Sequence, residues 1–198
     1  MSAPPMRWRR REFLIAGGRL AGAAAAGLGL GTARSRAAAP ASDAARGGEA
    51  PKRIALENLH TRERLDIGYY REGAYVPEAL SAIEVLLRDF RTGERHAIDP
   101  NLMDYLVQVA RALGVDPAFS VISGYRSPAT NARLREQSTG VAQRSLHMEG
   151  RAIDVRMSRV DCATLAARAQ DLRRGGVGYY RTSDFVHLDT GAFRTWKG

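Results

Sequence analysis

Cysteine is nearly absent: Cys162 stands alone, so no intrachain disulfide can form. Its context, Asp-Cys-Ala-Thr-Leu-Ala-Ala, reads as helix, and a small buried apolar residue fits it better than a nucleophile. Histidine is scarce too, with only His60, His96, His147 and His187. No long, uniformly apolar run occurs. The Ala/Gly/Leu-rich stretch reaching about Ala33 is diluted by glycine and broken by Arg19, which makes it a poor membrane span. No internal repeat is present, so a solenoid is excluded. The formal charge of +9 invites a nucleic-acid reading, but seven arginines in residues 1–41 against Glu12 alone carry +6 of it. The remaining +3 is ordinary, no nucleic-acid partner is expected, and the excess helps at most in meeting an anionic polymer.

Residues 1–41 have the three parts of a secretory signal: a basic start, a mildly apolar middle and small residues at Ala37-Ala38-Ala39. Arg10-Arg11-Glu12-Phe13-Leu14 resembles the twin-arginine signal, which exports folded proteins. The expectation is therefore a periplasmic chain that meets the twin-arginine export machinery, is cleaved near residues 39–45 and keeps no stable membrane span. Residues 42–53 read as a linker of Ala, Gly, Pro and charge, and the domain as residues 54–198.

Within that domain, Ile54–Leu59 and Glu63–Tyr70 alternate as a β-hairpin. Pro77 opens an amphipathic helix running to Phe90, and Asp99-Pro100 starts a second one, Asn101–Leu113, that stops at Gly114. Phe119–Ser123 is a short strand, Ala129–Gln137 a short helix, Arg151–Met157 a strand and Asp161–Arg174 a helix. Gly175–Tyr180 and Phe185–Asp189 close the chain as strands. The class is α+β, with helices preceding a small, mostly antiparallel sheet.

Chemistry concentrates in Ser145-Leu-His-Met-Glu-Gly-Arg-Ala-Ile-Asp154 and Ser183-Asp-Phe-Val-His-Leu-Asp-Thr-Gly191. Two imidazoles and one carboxylate, His147, Asp154 and His187, form a three-donor zinc set whose fourth position stays open for water, the catalytic rather than the structural arrangement. His147 and Asp154 are seven residues apart, too far for one helix face, so a turn through Gly150 must join them. A base is needed near the ion; Asp184 is the first choice and Asp189 the runner-up, unless Asp189 orients a ligand instead. Arg126, after a strand and Gly124, can face the oxyanion of a scissile carbonyl. Ser145 either binds substrate or holds the His147 loop. Glu149 and Arg151 are expected to face solvent, and His60 and His96 to be ordinary turn and loop residues.

These motifs resemble the D-Ala-D-Ala metallopeptidase family. Ser145, His147, Gly150, Ala152 and Asp154 match its Ser-x-His-x-x-Gly-x-Ala-x-Asp pattern, Asp184 and His187 its acidic-x-x-His, and Gly124-Tyr125-Arg126 its Gly-Tyr-Arg. The likeness is strongest, over roughly residues 54–196, to the murein endopeptidase K (YcbK-like) branch, through Leu59-His-Thr61, Ile122–Ser127, Gly175–Tyr180 and Phe185–Gly191. It implies a Hedgehog/D-Ala-D-Ala-peptidase-like fold, one Zn2+ per chain on His147, Asp154 and His187, Asp184 as base and Arg126 as carbonyl clamp. Many members carry Glu where Asp184 stands. The implied activity is cleavage of D-Ala–diaminopimelate or diaminopimelate–diaminopimelate cross-links in peptidoglycan. The alternatives are a D,D-carboxypeptidase trimming stem peptides and a non-catalytic zinc-containing wall-binding module.

Overall fold

Strands β1 (Lys52–Asn58) and β2 (Arg64–Arg71) open the fold as an antiparallel hairpin in a computed structural model that describes residues 49–137 and 141–198. The signal reading of residues 1–41 and most of the 42–53 linker lie outside the described residues. Order starts two residues before Ile54, because Lys52 is buried with its Nζ 2.7 Å from the Asp104 carboxylate. Ile54 and Leu56 point into the core opposite Ile67 and Leu65. Asn58 ties the hairpin turn: its side-chain oxygen accepts from the His60 and Thr61 N–H groups at 2.9 and 3.1 Å.

Strand β3 (Ala74–Tyr75) follows, then helix α1 (Pro77–Leu86) and helix α2 (Pro100–Leu113). The first helix stops four residues short of the expected Phe90, because tertiary partners take over its end. The Leu87 carbonyl accepts from Tyr125 N–H at 2.8 Å, and the buried Asp89 carboxylate accepts from Arg91 and Ser127 N–H at 3.0 and 2.9 Å. The second helix behaves as its sequence says: the Asp99 side chain accepts from Asn101 N–H, and Gly114 caps the other end in the left-handed region at φ 69°. Leu102, Met103, Leu106, Val109 and Ala110 are fully buried on it, each of the larger ones stabilising the fold by roughly 1.5–3 kcal/mol.

The remaining elements are β4 (Ala118–Ser123), α3 (Pro128–Gln137), a 3-10 turn (Leu146–Glu149), β5 (Ala152–Arg156), α4 (Cys162–Leu172), β6 (Gly176–Tyr180), β7 (Phe185–Asp189) and β8 (Arg194–Lys197). They complete one eight-stranded sheet in the order β3-β2-β1-β4-β5-β7-β6-β8. Only β1–β4 and β6–β8 pair in parallel, so the sheet is mostly antiparallel, as expected. The α+β class holds, but the expected order of helices before a small sheet does not. Three strands precede the first helix, and β1 sits inside the sheet because it pairs with β4 across both helices. Helices α2 and α4 share one hydrophobic core with the sheet, and Tyr105 Oη donates to the Ala169 carbonyl at 2.9 Å between them.

Candidate metal centre and active site

Strands β5 and β7 bring the key side chains together by register alone. Asp154 lies directly opposite His187 in an antiparallel pair, so both project from the same face. His147 arrives from the 3-10 turn, which ends at Gly150 with φ 65°. A Cβ at Gly150 would run into the Ala97 carbonyl, so only glycine makes this turn.

His147 Nε2, His187 Nδ1 and Asp154 Oδ1 form a triangle with sides of 3.2, 2.9 and 3.3 Å. A tetrahedral ion with bonds of about 2.0–2.2 Å sets its donors about 3.3–3.6 Å apart, so the triangle needs to open only slightly. The ring tautomers agree. His147 Nδ1 sits 2.7 Å from the Gly124 carbonyl, which only accepts, so Nδ1 carries the proton and Nε2 turns its lone pair inward. His187 Nε2 sits 3.0 Å from Asp189 Oδ2, so Nε2–H donates outward and Nδ1 faces the triangle. Three donors thus converge on one point. Burial lowers the His187 pKa, but the hydrogen bonds to Asp154 and Asp189 outweigh it and raise it to about 9. Nδ1 therefore holds a proton toward Asp154 that a cation seated there would displace. Burial pushes the His147 pKa down, which keeps the ring neutral. Burial would raise the Asp154 carboxyl, but His147 and His187 outweigh it and hold it well below the usual range.

Asp189 is fully buried and saturated. Its oxygens accept from Gly176 and Gly191 N–H at 3.0 and 2.8 Å, from Arg194 at 2.7 and 3.1 Å, and from His187. The structure therefore places Asp189 behind His187 rather than beside an incoming water, against its candidacy as base. Asp184 lies in the β6–β7 turn at φ 51°, its side chain 64% exposed, accepting from Arg156 Nη1 at 3.1 Å. It does not line the cavity above the triangle, and so is not brought to the donors as the spacing suggested. Arg126 does line it: Nη2 stands 3.6 Å from Asp154 Oδ2, and the backbone N–H of Arg126 donates to the His147 carbonyl at 3.1 Å. Ser145 also lines the cavity, one residue before the turn, but its hydroxyl does not cap it.

The cavity measures about 370 Å³. Tyr180, Phe185 and Trp196 give the same cavity an aromatic wall. Tyr180 stacks on Phe185 at 4.4 Å, and Trp196 Nε1 donates to Tyr180 Oη at 3.0 Å while its ring lies 5.1 Å from that of His187.

A sequence profile of the family described as "Peptidoglycan L,D-endopeptidase MepK" matches residues 46–196. The chain belongs to this family. The probable peptidoglycan L,D-endopeptidase MepK of Haemophilus influenzae is 44% identical over 149 residues, 75% of this chain and 80% of that protein. The peptidoglycan L,D-endopeptidase MepK of Escherichia coli K12 is 39% identical over 146 residues, 74% and 80% of the two chains. No solved structure matches significantly.

The MepK-family match covers the donor triangle and the cavity lining and reaches Trp196 in β8, and β8 is where sequence reasoning fell short. Trp196 and Arg194 were missed because Arg-Thr-Trp-Lys alternates charge and polarity like a solvated tail. The signal that could have found them was Gly178 in the middle of β6: Trp196 covers it, and a Cβ there would collide with the ring. Arg151, expected in solvent, instead donates to the Thr190 side chain and carbonyl at 3.2 and 2.9 Å and fastens the end of β7. His60 stacks on Phe90 and His96 on Tyr125, away from the triangle, as expected of bland residues. Cys162 is buried; burial, aided by Asp184, pushes its thiol up to about 11, so it is no nucleophile.

Proposed function

We propose that this chain is a zinc-dependent murein endopeptidase that hydrolyses D-Ala–diaminopimelate and/or diaminopimelate–diaminopimelate cross-links during wall remodelling, after export to the periplasm by the twin-arginine route. The observation that carries the zinc reading is the inward-facing set of His147 Nε2, His187 Nδ1 and Asp154 Oδ1. A set of two imidazoles and a carboxylate also holds non-haem iron, but peptide hydrolysis moves no electrons and favours zinc. Zinc bound there supplies Lewis acidity and makes water nucleophilic near neutral pH.

The chain's own groups do the rest. The Gly124 carbonyl and Asp189 fix the tautomers of the two imidazoles. Arg126, anchored through its backbone on His147, faces the carbonyl oxygen as it gains charge. Ser145 and the aromatic wall orient the peptide. For proton transfer we assign Asp184, three residues before His187 in the turn ahead of β7, because Asp154 belongs to the donor set and Asp189 is saturated behind His187. Leaving Arg156 costs little, since an exposed ion pair contributes about 0–1 kcal/mol.

The test is metal analysis of the purified chain together with digestion of sacculi. The expected result is one zinc per chain and loss of cross-linked dimers. Shortened stems with intact cross-links point to a carboxypeptidase, and binding without products to a non-catalytic module; either outcome rejects the proposal.

A further inference from the structure

We infer that Arg144 reads a substrate carboxylate beside the scissile bond, the one borne by the same carbon as the departing amine; this inference rests on the endopeptidase reading above. The charges of the cavity lead there. Arg126, Arg144 and Arg194 line it against a single carboxylate, Asp154. Arg194 is committed, with both terminal nitrogens on Asp189 at 2.7 and 3.1 Å. Arg126 faces Asp154 at 3.6 Å from a nearly buried position. Among the described residues, Arg144 alone of the three pairs with no carboxylate.

Its placement suits a reader of substrate. Arg144 is exposed at the rim, next to the buried Ser145 and three residues before His147. Ser145 and the 3-10 turn follow it directly in the chain, and its long side chain lies at the opening of the cavity. A cation held by the triangle adds further positive charge, and a cleft lined by one sign draws the opposite sign. The ligand this selects is an anionic peptide. In both proposed cross-links the amine set free belongs to a diaminopimelate centre whose carbon also bears a carboxylate, so that carboxylate enters the cavity with the scissile bond. A guanidinium is the side chain whose fork matches it in two parallel hydrogen bonds.

Wild type, Arg144→Gln and Arg144→Lys are compared on a matched pair of purified cross-linked peptides, one with that carboxylate free and one with it amidated. Binding is measured by calorimetry on the metal-free chain, which cannot turn the peptides over, and KM on the zinc-loaded chain. Wild type should prefer the free carboxylate by about 10- to 100-fold, the range of one charge-assisted contact. Arg144→Gln should bring that ratio close to one, with the loss in Kd and KM, and Arg144→Lys should keep part of it. Equal binding of both peptides by wild type, or a ratio untouched by Arg144→Gln, overturns the inference and leaves the endopeptidase reading standing. If the zinc-loaded wild type cuts neither peptide, the endopeptidase reading itself fails and this inference goes with it.

Discussion

Asp189→Asn keeps the shape of a fully buried side chain and removes one acceptor. In the wild type, Oδ1 accepts from Gly176 and Gly191 N–H at 3.0 and 2.8 Å, while Oδ2 accepts from His187 Nε2–H and Arg194 Nη2 at 3.0 and 2.7 Å. An asparagine has one oxygen for these two sets of donors. If it serves the backbone pair, its NH2 group confronts the His187 N–H and the Arg194 guanidinium. The less costly escape is a change of tautomer: the His187 proton moves to Nδ1, and Nε2 accepts from the new amide. That places an N–H inside the donor triangle, where a lone pair is needed. Loss of such a supporting partner lowers metal affinity by about 10–100-fold, which corresponds to about 1.4–2.8 kcal/mol. Competition of the protein with a chromophoric chelator measures the zinc affinity, and the nitrogen shifts of His187 report the tautomer. Unchanged affinity and tautomer together with lost turnover would refute this reasoning and return Asp189 to the role of base.

Asp184→Ala should keep its zinc and lose about 10²–10⁴-fold in turnover, the usual share of one general base; zinc stoichiometry and muropeptide kinetics on the same sample check it. A second expectation concerns alkali. Burial raises the pKa of Tyr69 and Tyr75, and their hydrogen bonds to Asp104 raise it further, Tyr75 to about 12. Burial works against the Lys52 charge, but Asp104 and Glu49 raise its pKa above 10.5. In each case the folded chain holds a proton that the unfolded chain gives up first. Stability is therefore complete below about pH 10 and falls as pH rises toward about 12. Thermal melts across that range should show the slope, and Asp104→Asn should flatten it while costing about 3–5 kcal/mol at neutral pH. Finally, Gly178→Ala should cost about 1–3 kcal/mol by overpacking against Trp196. Pairing it with Trp196→Ala should recover part of that loss in a double-mutant cycle, and a strictly additive double mutant would place the ring elsewhere.

The donor set is legible in the sequence because polar residues interrupt runs that are otherwise buried strand. In Ala152-Ile-Asp-Val155 and Val186-His-Leu-Asp189 the flanking apolar residues fill the core, so Asp154 and His187 need a reason to be there, and cross-strand register supplies the rest. Which of the two remaining aspartates serves His187 was not legible. Asp184 and Asp189 lie at similar distances along the chain, and what separates them is non-local: Gly176 and Arg194 come from other strands to saturate one, while Arg156 meets the other at the surface. The same holds for the aromatic wall. Trp196 joins the site only because β8 returns to pair in parallel with β6 and finds a glycine under its ring. Side chains whose environment is set by their own strand were therefore foreseeable, whereas those set by a distant strand's backbone were not. The proposed ligands follow from the register of β5 and β7 and from the 3-10 turn that leads into β5, while the proposed proton transfer depends on whether Asp184 exchanges Arg156 for the cavity when a peptide is bound. Arg156→Gln puts that exchange to the test: if the ion pair restrains Asp184, turnover should rise or hold while zinc content stays the same. A fall in turnover on the scale of Asp184→Ala would instead show that Arg156 positions the carboxylate for its work.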